Sequence, residues 1–285
     1  MPVLVPELRD EQPPSASTWE SVELLSVQDL HVPILPDSIA EVIAATGGQD
    51  PDSRRLAQLV ERDASLASHV LRLAGSAVFS AQRVSSLLQA ITRLGVAGLR
   101  QVALLVAAEA QLFRVPGREA DVRRVLAHSC LAATFAREVA RLRRQNGEEA
   151  FLAALLHDVG KPTLWAALAM PERRARAGVV DAELDAIVDR HHARAGSLVA
   201  GAWRLSPPIV DAIAHHHDPF DELAHGVALA DALAHWAEGP ARDELAADRL
   251  LAHPSIVALD LYPEDLGALL ARRDEIVGNA RGVLP

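Results

Sequence analysis

The chain has a single cysteine, Cys130, in 285 residues, so no disulfide can form within it. A chain without disulfides fits a reducing compartment, and the cytoplasm is the expected location. Cys130 reads as a small buried packing residue rather than a nucleophile. Basic charge is also in deficit. Lys and Arg total 28 against 38 Asp and Glu, a formal net charge of -10. Neutralising nucleic-acid phosphates needs a basic surface, so no direct nucleic-acid binding is expected. The Arg-rich stretches, residues 137–144 and 173–176, are short and mixed with acids, and they read as solvated helix faces.

Long apolar runs are missing too. None reaches the ~18 residues of a membrane span. The longest candidate, "QVALLVAAEAQLF", carries Glu109 and reads as a core helix. The N-terminus has neither the basic start nor the apolar stretch of a signal peptide, so no membrane association is expected. Aromatics make up only 4% of the chain while half of it is hydrophobic, a composition of closely packed Ala- and Leu-rich helices.

Helical signals then dominate. Residues 1–27, with Pro2, Pro6, Pro13 and Pro14, read as a poorly ordered lead-in, with a short helix near Trp19 to Leu25. "PDSIAEVIAATGG" starts at Pro36 or Asp37 and stops at Gly47-Gly48. Leu56, Leu59 and Val60 share a helix face, and Asp63 is placed to cap a helix carrying Leu66, Val70, Leu71 and Leu73. Two more helices meet near Leu94-Gly95, and Pro116-Gly117 marks a boundary. A long amphipathic helix carries His128. "EEAFLAALLHDVGK" reads as a helix stopped by Gly160 and Pro162. Ser206 and Pro207 open a further helix. No alternating strand pattern, internal repeat or low-complexity segment occurs, so the expected fold is all-α.

The polar residues within these helices raise the chemical question. His157 and Asp158 sit side by side at the end of an apolar helix. His128 and His192 lie on helices, and His216 and His217 close another. Asp231 stands within an Ala/Leu helix, where a buried carboxylate is costly unless paired or ligated. Imidazole nitrogens and carboxylate oxygens suit Mn, Fe, Zn or Mg. Singly, each has a bland reading: a satisfied core histidine, or a cation at a helix C-terminus for the histidine run and for Lys161. His191, His215 and Arg194 read as exposed. The order H…HD…H…HH…D favours one shared metal site.

"HS" at His128, "LLHDVGK" up to Lys161 and the late Asp231 resemble the HD superfamily of metal-dependent phosphohydrolases. "VPILPDSIAEVI", "VERDASLASHVLRLAGSAVFS", "SSLLQAITRLGVAGLRQVAL" and "HHARAGSLVAGAWRLSPPIVDAIAHHHDP" narrow the resemblance to HDOD domains, the HD-related output domains of bacterial signalling. The resemblance implies a multi-helix HD-like bundle. It spans residues 28–240, with an N-terminal helical part at 28–115 and an HD-like part at 116–240, and closing helices follow at 241–285. It further implies that His128, His157, Asp158 and Asp231 hold one divalent metal (Fe, Mn or Zn). His192, His216 and His217 would add a second, as in the related HD-GYP phosphodiesterases of cyclic di-GMP. The chain departs from these patterns at Gly75-Ser76, where HDOD domains have Asn-Ser, and at the shifted Leu205-Ser206-Pro207. The Gly-Tyr-Pro motif is absent, and Arg124 stands where a carboxylate would precede the first histidine. The resemblance therefore does not extend to cyclic di-GMP as substrate.

Two function classes follow. The first is a signalling output module that binds a partner protein or a nucleotide second messenger, with its metal cleft covered, for instance by the lead-in residues Val3, Leu4 and Val5. The alternative is a metal-dependent phosphohydrolase or phosphodiesterase, in which Asp158 bridges two ions and orients the attacking hydroxide while Lys161 neutralises phosphate oxygens. The enzyme needs an open cleft above the metals.

Overall fold

The protein is described by a computed structural model covering residue 30 and residues 36–47, 51–75, 84, 86–111, 115–169, 183–239 and 244–283. The lead-in 1–27, the short helix expected at Trp19 to Leu25, Ser76 and the arginines of 173–176 lie outside these. Among the described residues there is no strand, and the all-α expectation holds. The helices are α1 (Asp37–Thr46), α2 (Ser53–Glu61), α3 (Ala64–Ala74), α4 (Leu87–Gln111), α5 (Glu119–Leu142), α6 (Gly147–Leu156) and α7 (Gly160–Leu168). They continue with α8 (Leu184–Ala202), α9 (Pro207–His215), α10 (Glu222–Glu238), α11 (Glu244–Leu251), α12 (Pro254–Ala258), α13 (Pro263–Ala271) and α14 (Arg273–Val283).

Short-range chemistry sets most helix starts. The Asp52, Asp63, Asn146 and Asp221 side chains accept hydrogen bonds from backbone amides of the first turns of α2, α3, α6 and α10. Gly95 takes φ 71° inside α4 and kinks it, a left-handed conformation open to glycine at little cost. Leu66 and Val70 of α3 are buried, whereas Leu71 faces solvent.

Packing divides the apolar residues into groups. Ile39, Val42, Leu56, Val60, Leu66, Val70 and Ile91 form an N-terminal cluster with Leu99, Val102 and Val106 of α4. The larger cluster gathers Phe135, Phe151, Leu155, Ile213, Val227 and Leu233, and it takes Leu104 and Leu105 from the same α4. Stacked on these, α5 packs against α6, α10 and α14, while α8 lies between α7 and α9. Leu87–Ala107 is the only helical stretch among the described residues long and apolar enough to cross a membrane, and two-thirds of its most apolar part is buried in the fold.

Two expectations need correction here. Arg137 is not on a solvated face. Its guanidinium lies 4.0 Å over the Phe151 ring, and Nη2 donates to Gln101 Oε1 at 2.9 Å, so α5 turns it toward α4 and α6. Gly160 and Pro162 do not stop α6 either. That helix ends at Leu156, and both residues belong to the first turn of α7.

Gly160 has a packing role. A Cβ there would sit 1.9 Å from the His192 carbonyl oxygen and 2.7 Å from the Gly196 amide nitrogen. The α7 and α8 backbones touch directly, and only hydrogen fits between them. Gly160→Ala is therefore expected to destabilise the fold by about 3 kcal/mol or more, at the upper end of overpacking costs. Gly278→Ala, on an open stretch of α14 with nothing within 4 Å, should instead stabilise by about 0.5–1 kcal/mol. Urea denaturation of the two variants checks both signs.

Candidate metal centre

The α7–α8 contact places chemistry as well as backbone. Residues 157–159 form a tight corner between α6 and α7, in which the Val159 amide donates to Leu156 O and the Lys161 amide to Asp158 O. His157 and Asp158 occupy this corner and are almost fully buried. Because α7 lies on α8 at Gly160, Asp158 Oδ1 comes to 3.2 Å from His192 Nε2. One turn further along α8, a Cβ on Gly196 would be 3.0 Å from Ile213 Cγ2 and 3.4 Å from Gly160 N, so the α9 side chains also pack closely on this stretch. That brings His216, at the α9 C-terminus, to 3.2 Å from His192, and His217 to 3.0 Å, measured between Nε2 atoms. From the far side, α5 supplies His128 and α10 supplies Asp231, with His128 Nε2 2.8 Å from Asp231 Oδ1.

All seven candidate ligands thus come together. Among the described residues, three groupings have donor atoms mutually within 4.8 Å: His192/His216/His217, His128/His157/Asp158 and His128/Asp231/His235. Asp158 lies between the first two, with Oδ1 toward His192 and Oδ2 3.5 Å from His157 Nε2.

Hydrogen bonding fixes which nitrogen is available. His157, His192 and His216 place Nδ1 at 2.7, 2.6 and 2.8 Å from the carbonyl oxygens of Ala154, Asp189 and Ile213. A carbonyl only accepts, so each Nδ1 carries the proton and each neutral ring leaves a lone pair on Nε2. Between His192 and His216, lone pair therefore faces lone pair, an arrangement that calls for positive charge. His157 Nε2 is buried without a hydrogen-bond partner, and the nearest carboxylate oxygens, on Asp158 and Asp231, stand 3.5 and 3.7 Å away. Neutral imidazole and carboxylate donors aimed at a common space fit a divalent metal with N/O ligands.

The two halves differ electrostatically. Burial pushes His192 down to about 4 and, with the positive field of His157, His216 down to about 2. Burial also lowers His217. Around Asp231 the balance reverses. Burial disfavours a charged His128, but Asp231 and Glu238 outweigh it and raise its pKa to about 9. His157 is likewise held up against burial by Asp158 and Asp231. Both carboxylates are held well below the usual range, since the adjoining His residues, and Lys161 for Asp158, outweigh their desolvation.

Lys161 does not lie at a helix C-terminus. It is in the first turn of α7, where the dipole disfavours a cation, and its Nζ instead donates to Asp158 Oδ2 at 2.7 Å. His191 is buried rather than exposed, because α8 is covered by both α7 and α9. His215 and Arg194 are exposed as expected. A cleft of about 280 Å³ opens over His128, Asp158 and Lys161, rimmed by Arg118 and Arg124. Sequence reasoning missed His235 and Glu238, which follow Asp231 at i+4 and i+7 in "DALAHWAE". That spacing puts all three on one helix face and was the available signal.

An all-α bundle with this His/Asp cluster at the meeting of α5, α6, α8, α9 and α10 defines an HD-type helical domain. Residues 32–219 match the HDOD domain family, and the chain belongs to it. An uncharacterized protein of Treponema pallidum (strain Nichols) is 25% identical over 226 residues, 73% of this chain and 43% of that protein. The chain thus spans less than half the length of the curated relative it matches. The crystal structure of a Shewanella amazonensis SB2B protein proposed to be a metal-dependent phosphohydrolase is similar with a TM-score of 0.68 at 20% identity, covering 93% of this chain and 100% of that one. An HDOD domain protein with unknown function from Geobacter sulfurreducens gives 0.68 at 23% identity, covering 94% and 97%. These likenesses establish the fold.

In metal-stripped protein at pH 7, long-range ¹H–¹⁵N correlation spectra should show His192 and His216 neutral with the proton on Nδ1. An Nε2-protonated ring at either position would contradict the geometry.

Proposed function

We propose that the chain is a metal-dependent phosphohydrolase of the HD type, acting on a phosphate ester at the floor of the cleft. The observation that carries this reading is the placement of Asp158. Its two oxygens are divided between the His192/His216/His217 and His128/His157 groups, and the cleft opens above it. A carboxylate so placed would offer one oxygen to each of two ions. His128, His157, Asp158 and Asp231 would hold one, and Asp158, His192, His216 and His217 the other, with Fe, Mn or Zn as suitable metals. The Shewanella amazonensis neighbour, itself proposed to be a metal-dependent phosphohydrolase, shares the fold and is consistent with this reading.

Bound metal supplies an acidified water and charge neutralisation at the phosphoryl group. The chain's own residues do the rest. Lys161 Nζ donates to Asp158 Oδ2 and fixes the orientation of that carboxylate. Lys161, one-fifth exposed, stands at the cleft floor and offers its remaining N–H groups to a phosphate oxygen. At the rim Arg118 is paired with both Asp121 and Asp185, so the cation left to meet a phosphate is Lys161.

Elemental mass spectrometry of untagged protein should find two transition-metal ions per chain, both lost in His157→Ala/Asp158→Ala. With Mn(II) or Zn(II) supplied, the protein should hydrolyse members of a panel of phosphate mono- and diesters. Lys161→Ala should keep its metal and lose about 100-fold or more in kcat, the scale of removing one transition-state donor. Protein that binds metal but hydrolyses nothing in the panel would overturn the enzyme reading in favour of a signalling module that binds a partner protein or nucleotide. Absence of metal after reconstitution would overturn the metal centre itself.

A further inference from the structure

His128 is anchored differently from the other buried imidazoles of the cluster. His157, His192 and His216 spend Nδ1 on a carbonyl three residues back in their own segments. His128 instead points Nδ1 across to α10, where both carboxylate oxygens of Glu238 lie 3.2 Å away. Its Nε2 meets Asp231 Oδ1 at 2.8 Å. Asp231 and Glu238 are seven residues apart, two turns along one helix face, so α10 grips the ring from both nitrogens. The His235 ring covers it with centroids 4.3 Å apart.

Local helix energetics do not account for Glu238. It is the last residue of α10, where the carbonyl end of the helix disfavours a carboxylate. Among the described residues its ion-pair partners are His128 and His235, not a lysine or arginine. What the position offers a carboxylate is contact with the His128 imidazole.

We propose that Glu238 is a positioning residue for the metal centre. It holds His128 with Nδ1 as the donor and Nε2 directed at the ion shared with His157, Asp158 and Asp231, and it makes that Nε2 a stronger donor. The assignment rests on the two-ion reading given above. It makes the ions unequal, because one depends on a carboxylate on α10, whereas His192 and His216 rely on backbone carbonyls alone.

The test is a Zn(II) titration of metal-depleted, full-length protein against a chromophoric chelator at pH 7. It compares the unaltered chain, Glu238→Ala, Glu238→Gln and His216→Ala. Glu238→Ala should weaken one of the two ions by about 10–100-fold and leave the other unchanged. Glu238→Gln, whose amide oxygen still accepts from Nδ1, should recover most of that loss. His216→Ala should weaken the opposite ion. Equal weakening of both ions in Glu238→Ala, or no weakening, overturns the assignment while the metal centre stands. Failure of the unaltered chain to bind Zn(II) overturns the metal centre and this assignment with it. If Glu238→Ala does not fold, Glu238→Asp, which draws the carboxylate back by one methylene, takes its place in the same comparison.

Discussion

The backbone contact between α7 and α8 is the constraint on which the site depends. With Gly160 against the His192 carbonyl, the two helices approach more closely than any side chain allows. Everything polar in the centre is registered to that contact. Asp158 lies two residues before Gly160, His192 belongs to the carbonyl it touches, and Gly196 one turn later lets α9 come in with His216. A small change in the spacing of two helices would separate donors that now stand within about one hydrogen-bond length, because side chains in a close-packed interior have little slack to follow.

Burial on this scale would be unfavourable for isolated charges, and the arrangement offsets it in two ways. Near Asp231 the offset comes from carboxylates: Asp158, Asp231 and Glu238 face the His128 and His157 rings and favour their charged forms against burial. Near His216 it is the reverse, with rings stripped of charge and their N–H groups satisfied by helix carbonyls. The cluster is thus acid-rich at one end and neutral at the other, and Asp158, with Lys161 on its outer oxygen, joins the two.

Much of this was legible in the sequence. Helix periodicity and local signals gave the all-α class, because the Asp63 cap, Pro207 in the first turn of α9 and the Gly95 kink act locally, whereas the Ser206 hydroxyl does not cap α9 and donates to Glu149 instead. The seven His and Asp positions stood out because polar residues on apolar helices need a reason. What escaped was set by tertiary contact. Gly160 looked like a helix stop, since a glycine required by a neighbouring backbone cannot be told from one that ends a helix. Arg137 looked solvated because the Phe151 ring that receives it lies on another helix. His191 looked exposed because α8 is covered on two sides, which no property of α8 itself announces. Glu238 was not singled out, and only the fold brings it to His128 from 110 residues away.

The kinked α4 has a further consequence for how the chain folds. Leu99, Val102 and Val106 line the N-terminal cluster, while Leu104 and Leu105, a fraction of a turn away, line the larger one. The two cores share a wall. An intermediate with only the N-terminal cluster formed would leave Leu104 and Leu105 in water, forgoing about 1.5–3 kcal/mol for each. An intermediate with only the larger cluster would expose the other side of the same helix. Neither half has a finished surface without its neighbour, which favours a cooperative transition over stepwise melting.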